Sequence, residues 1–144
     1  MKVTFQGVNA EELSFKMNRV RLNPQDRVDM KPQFSRQVRR INGNDKTNLL
    51  ALSIKIESTE AEPKPFDIHA TIVGVFDVED VKDQNEERAF VIEATQTVYP
   101  YLRAAVASLT SNAYIMPVHL PVLAGPLFPE DREFFAFPSG SDVN

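Results

Sequence analysis

Two histidines, a run of acids, a basic cluster and one serine pair are the residues that could do polar chemistry in this chain. His69 and His119 each stand outside any paired ligand motif, so neither a zinc site nor a histidine general base is indicated, and a structural or surface role is expected for both. The acidic run of Asp77, Glu79, Asp80, Asp83, Glu86 and Glu87 lacks the central glycine and ligand spacing of a calcium loop and reads as a solvated connection. Ser139-Gly140-Ser141 has no strand feeding it, as a nucleophile elbow would need, and no phosphate-cradling or dinucleotide fingerprint is present. The absence of cysteine excludes disulfides, thiol chemistry and cysteine-rich zinc sites. No enzyme, metal or cofactor is expected. Lys31, Arg36, Arg39 and Arg40 cluster, but the chain's net charge is -4, so nucleic-acid binding is the weakest reading and a solvated strand edge the expected one.

What remains is apolar chemistry. From Val98 to Phe128 the sequence carries no Asp, Glu, Lys or Arg after Arg103, and it changes character halfway. Pro100 suits a first helical turn, and Leu102, Ala105, Val106 and Leu109 recur at helical spacing with Tyr101 beside them. Asn112 marks the exit. The segment that follows is too apolar for an ordinary loop, while Pro117 and Pro121 break any helix. Tyr114, Ile115, Met116, Leu120, Val122 and Leu123 could line a groove that buries exposed side chains of another polypeptide, with Met116 adding adaptability. Burial in a core or subunit interface is the default for the same residues. The helix stripe of Tyr101, Leu102, Ala105, Val106 and Leu109 is expected at or near the interface of a homodimer or homotetramer.

These residues need a platform. Leu13, Phe15 and Met17 alternate with polar neighbours as a half-buried strand, and Val20 and Leu22 fall out of phase as after a bulge, with Asn23-Pro24 ending it. Phe34 to Ile41 reads as a second strand, closed by the turn Asn42-Gly43-Asn44-Asp45. Leu50, Leu52, Ile54 and Ile56 share one face of a third, and Phe66, Ile68, Ala70, Ile72 and Phe76 one face of a fourth. Their opposite faces are not fully polar, so partial cover there is expected. Asp77 to Arg88 reads as a charged connection, and Ala89 to Gln96 fits a short strand as well as a buried helical turn. Strands first and helix afterwards predict an α+β domain, a four-stranded antiparallel sheet packed on one face by a principal C-terminal helix. The division is one domain over 1–130 and a tail over 131–144. The N-terminal segment lacks a signal peptide's apolar centre and no run is long enough to span a bilayer, so a cytoplasmic location is expected.

Tyr99-Pro100-Tyr101-Leu102-Arg103 resembles the helix start of the SecB family of protein-export chaperones. Tyr114 to Val122 is similar to the apolar loop after that helix, Leu127-Phe128 to an aliphatic-aromatic pair beyond it, and Pro65 to Val78 to the strand before it. The chain looks like a divergent, Gram-positive branch. The resemblance implies a dimer of dimers that holds unfolded or secretory polypeptides without ATP and passes them to the SecA motor. It adds Phe128 to the peptide-binding set and favours helix over much of Asn85 to Ala94. Glu12, Asp67 and His69 would face such a partner from the outer sheet, but Lys16 stands where a second acid is expected, and Asp67 and His69 replace an aliphatic and an acid. Those departures weaken the SecA contact while leaving peptide holding intact. Gly125, Pro126 and Pro129 imply that the family's second helix is short or absent. The alternative is an interaction module on the same scaffold that recognises one folded partner, such as an antitoxin-like or regulatory protein.

Overall fold

The computed structural model describes residues 1–20 and 28–134. Four antiparallel strands, β1 (Lys2–Met17), β2 (Gln33–Ile41), β3 (Asn44–Ile56) and β4 (Phe66–Glu79), precede one long helix, α1 (Gln84–Asn112). The sheet order is β1-β4-β3-β2, so the last strand inserts between the first and third, and both outer strands keep one open edge. The expected α+β architecture is what forms.

Alternation sets which face meets the helix. Leu50, Leu52, Ile54 and Ile56 of β3 and Phe66, Ile68, Ala70 and Phe76 of β4 point to one side and are buried there. Phe90, Ala94, Val98, Leu102 and Val106 of α1 repeat every four residues and form the ridge that packs on them. Gly74 sits beneath that ridge, where a β-carbon would lie 2.4 Å from Val98 Cγ2. At the turn between β2 and β3, Gly43 takes φ +82°, a conformation that L side chains rarely adopt.

Several element boundaries differ from expectation. β1 begins at Lys2 rather than near Leu13, and its bulges fall between Phe5 and Gly7 and between Ala10 and Glu12. Val20 lies outside any strand, and Leu22, Asn23 and Pro24 fall outside the described residues. The charged connection is short, because Asp77 and Glu79 finish β4 and Asp83 caps α1, accepting the Glu86 N–H at 2.9 Å. Pro100 is therefore not in a first turn; it lies well inside a helix whose 29 residues include the ambiguous 89–96 stretch. Packing of Phe90 and Ala94 on the sheet outweighs the β-branched propensity there.

The sheet face away from α1 is partly covered, as expected, though by no helix among the described residues. Ala51 and Val73 are buried on it. Arg39 of β2 and Glu11 of β1 form a two-point ion pair at 2.7 and 3.0 Å. Since β3 and β4 separate those strands, the pair reaches across them.

Past the apolar loop, residues 129–134 form a short helical turn, and residues 135–144, including Ser139-Gly140-Ser141, lie outside the described residues. Packed structure continues beyond residue 130. Arg36 of β2 holds Asp131 through two hydrogen bonds of 2.6 and 2.7 Å, donates to Thr95 Oγ1 at 3.0 Å, and lies 4.3 Å over the Phe128 ring.

Candidate functional site

The C-terminal end of α1 sets the start of the loop. The buried hydroxyl of Thr110 donates to the Val106 carbonyl at 2.9 Å and accepts the Val118 N–H at 2.8 Å. Ala113 is the C-cap, and Tyr114 then takes φ +62°, a position usually given to glycine. Holding a tyrosine there costs roughly 1–2 kcal/mol. Its side chain turns outward as a result. Tyr114, Met116 and Val122 are 98%, 87% and 77% exposed, which is unusual for side chains of this size and places them together on one loop.

Between the loop and the outer side of α1 runs a groove of about 440 Å³, lined by Gln96, Tyr99, Pro100 and Arg103 on the helix and by Val122 to Gly125 opposite. Two helix side chains hold the loop by its main chain. The Tyr99 hydroxyl donates to the Pro121 carbonyl at 2.6 Å, and Arg103 Nε donates to the Leu120 carbonyl at 2.5 Å. Burial pushes the Tyr99 phenol above its ordinary pKa, so it remains a donor at neutral pH.

The residues expected to bind peptide therefore separate. Val122 and Leu123 form part of the groove wall, and Tyr114 and Met116 are exposed earlier on the same loop. Leu120 is buried in the core, Ile115 packs against that core, and Phe128 lies under the Arg36 guanidinium. Those three are structural supports, drawn inward because the loop must cover the end of the α1–sheet interface. Gln96 and Arg103 escaped sequence reasoning, since nothing apolar marks them; their spacing from Tyr99 along one helix face was the available signal.

The helix stripe assigned to an interface also divides. Leu102 and Val106 are fully buried against the chain's own sheet and have no surface to offer another copy. Ala105 and Leu109 are half-buried, and Tyr101 is exposed against Phe5, its ring 6.0 Å from Tyr101's. On the same side of β1, Leu13 and Met17 are half exposed. This apolar edge was legible only as a strand, because exposure depends on where α1 stops covering the sheet.

The outer sheet face carries the residues expected to meet a partner. Asp67 accepts the Ser58 N–H at 2.8 Å and the Asn18 amide at 2.9 Å, and these bonds hold its carboxyl below the usual range. His69 Nε2 lies 3.0 Å from Glu57, which Lys55 also pairs at 3.1 Å. Glu12 is exposed, its carboxylate meeting Ser14 Oγ at 3.2 Å. His119 is exposed on the loop. The acidic run is dispersed: Glu79 pairs Lys46, Glu87 pairs Arg40 and Glu86 accepts the Lys82 N–H. The basic cluster is likewise consumed, with Lys31 on Glu62, Arg36 on Asp131, Arg39 on Glu11 and Arg40 on Glu87. Among the described residues, this cluster leaves no basic stripe for a phosphate backbone.

Comparison with known proteins agrees with this geometry. The protein-export protein SecB of Anaplasma phagocytophilum (strain HZ) is 32% identical over 77 residues, covering 51% of this chain and 49% of its own length. That of Albidiferax ferrireducens is 36% identical over 78 residues, covering 54% and 50%. The chain thus spans about half the length of these curated relatives. Among solved structures, a Mycobacterium tuberculosis SecB-like chaperone in complex with a ChAD peptide from the HigA1 antitoxin superposes with a TM-score of 0.71 at 18% identity, covering 87% of this chain and 93% of that one. The fold is shared. The family model for preprotein translocase subunit SecB matches residues 2–124, and with the sheet, helix and loop in the order described, this chain belongs to the SecB family.

Proposed function

We propose that the protein is an ATP-independent holdase that binds unfolded polypeptides along the groove between α1 and the 114–125 loop. The observation that carries this reading is the trio of exposed apolar side chains, Tyr114, Met116 and Val122, on the loop whose Val122 to Gly125 stretch walls that groove. A monomeric protein has no folding reason to display them together. Each would bury apolar area on a client, and the client's ordering cost keeps any single site weak, so several sites per oligomer would be needed. Binding to the unfolded state alone slows aggregation by mass action, with no reaction catalysed.

Purified protein should suppress aggregation of a denatured client at about one oligomer per client without nucleotide. Met116→Glu and Val122→Glu should each weaken that protection by about ten- to a hundredfold, as expected from losing roughly 1.5–3 kcal/mol of burial per side chain. Inactivity of the wild type against several clients would sink the reading. Capture of one stoichiometric partner in place of a mixed client population would favour the single-partner module instead.

Delivery to SecA draws less support from the outer face. Asp67 and His69 already serve partners within the chain, and Lys16 and Lys55 stand among them. Glu12 is the one expected contact left exposed there.

The same proposal places self-assembly on β1 rather than on Leu102 and Val106. β1 has an open edge, and Leu13, Met17 and Tyr101 extend its apolar margin. Two copies joined there would satisfy the open backbone and cover that margin. Native mass should exceed one chain at micromolar concentration. The double substitution Leu13→Glu with Met17→Glu should return it to one chain while leaving thermal unfolding within a few degrees; an unchanged oligomer would exclude β1 as the joint.

A further inference from the structure

An interior proline removes the N–H that would bond the carbonyl four residues earlier. In α1 that proline is Pro100 and the carbonyl belongs to Gln96. Gln96 and Pro100 are one turn apart and both line the groove, so an acceptor without its helical donor is presented there. A donor stands further along the same wall. Arg103 spends Nε on the Leu120 carbonyl, and its two Nη groups have no hydrogen-bond or carboxylate partner among the described residues. The seven residue steps from 96 to 103 span roughly 10 Å of helix, the length of about three residues of extended chain.

We propose that this groove recognises its occupant by the main chain: an extended polypeptide donates one backbone N–H to the Gln96 carbonyl and, about three residues away, offers a backbone carbonyl to the Arg103 Nη fork. The inference rests on the holdase reading and deepens it. An acidic side chain would satisfy the guanidinium but would leave the Gln96 carbonyl, roughly 10 Å along the helix, without a donor. An extended main chain satisfies both, because each non-proline residue along it carries a donor and an acceptor. Val122, Leu123 and Ala124 then add apolar contact without demanding a particular side chain. Affinity divided in this way tolerates varied sequences, as strand addition does at a sheet edge.

The test uses the intact protein and a fluorescent, unstructured apolar peptide, together with copies N-methylated at one backbone position at a time. Pro100→Ala returns an N–H to the Gln96 carbonyl, so the thermal midpoint should rise by several degrees while peptide affinity falls about three- to tenfold. Arg103→Lys keeps a cation and a donor for the Leu120 carbonyl but lacks the spare fork, and should lose affinity by a similar factor. One N-methyl position should weaken wild-type binding by that same factor and leave Pro100→Ala unaffected. If the wild type binds the peptide, yet Pro100→Ala binds as tightly and no N-methyl position matters, main-chain recognition is overturned and peptide holding stands. If the wild type binds no peptide, both fall together.

Discussion

Asp131→Ala should destabilise the protein by roughly 3–5 kcal/mol, the usual cost of leaving one member of a buried ion pair alone. The Arg36 and Asp131 side chains are 13% and 3% exposed, and the carboxylate accepts from both Nη groups. Removing it strands a guanidinium between Thr95 and the Phe128 ring, with only Glu130 at 3.4 Å to take up the charge. The loss should be local first. Arg88, which donates to the Glu130 carbonyl at 2.7 Å and lies over the Phe134 ring, still holds residues 129–134 to the body, so amide exchange there should accelerate before that of β3 and β4. Replacing both partners by apolar residues, Arg36→Met with Asp131→Leu, should restore most of the stability, because the buried pair contributes little net energy over a packed contact. Urea unfolding measures all three; an alanine variant within 1 kcal/mol of wild type would contradict the clasp.

The second large effect is expected at Gly74. An alanine β-carbon there would meet Val98 Cγ2 at 2.4 Å and Phe76 Cε1 at 2.8 Å. Both neighbours are buried and crowded, Phe76 by the Phe90 ring edge-on at 5.5 Å, so neither can swing away cheaply. Lifting α1 off the sheet would relieve the clash at the expense of contacts along the whole ridge. Gly74→Ala should therefore cost about 1–3 kcal/mol and Gly74→Val more. The cause is space rather than backbone conformation, since Gly74 does not need positive φ. A compensating change tests this directly. Gly74→Ala combined with Val98→Ala should be more stable than the sum of the two single effects predicts, with a coupling of about 1 kcal/mol or more. Strict additivity would mean that the close approach is not what fixes the glycine.

Strand faces were legible in the sequence wherever alternation reported burial directly, as in Leu50 to Ile56 and Phe66 to Phe76. Pro100 looks like a helix beginning, so periodicity alone reads the helix short; the SecB resemblance favours helix over much of Asn85 to Ala94, and α1 does run from Gln84, packed through Phe90, Ala94 and Val98. Of the apolar loop, composition shows that it is apolar but not which side chains turn inward. Leu120 and Val122 are two residues apart and similar in type, yet one is core and the other 77% exposed. The groove's polar residues were invisible for a different reason: Gln96 and Arg103 acquire a role only once a distant segment is folded against them. Partner-facing expectations on the outer sheet met the same limit, because no pattern in sequence shows that Asp67 is already engaged by Ser58 and Asn18.

The tethering of the loop through the Leu120 and Pro121 carbonyls has a bearing on how this surface can change over generations. Tyr99 and Arg103 grip atoms that every amino acid possesses, and proline at 121 supplies its carbonyl as well as any residue would. Substitutions at positions 114, 116 and 122 can therefore accumulate without loosening the loop or unsettling the sheet. Selection on what is captured is thereby uncoupled from selection on remaining folded, and two lineages can diverge widely in the exposed positions while keeping the same scaffold.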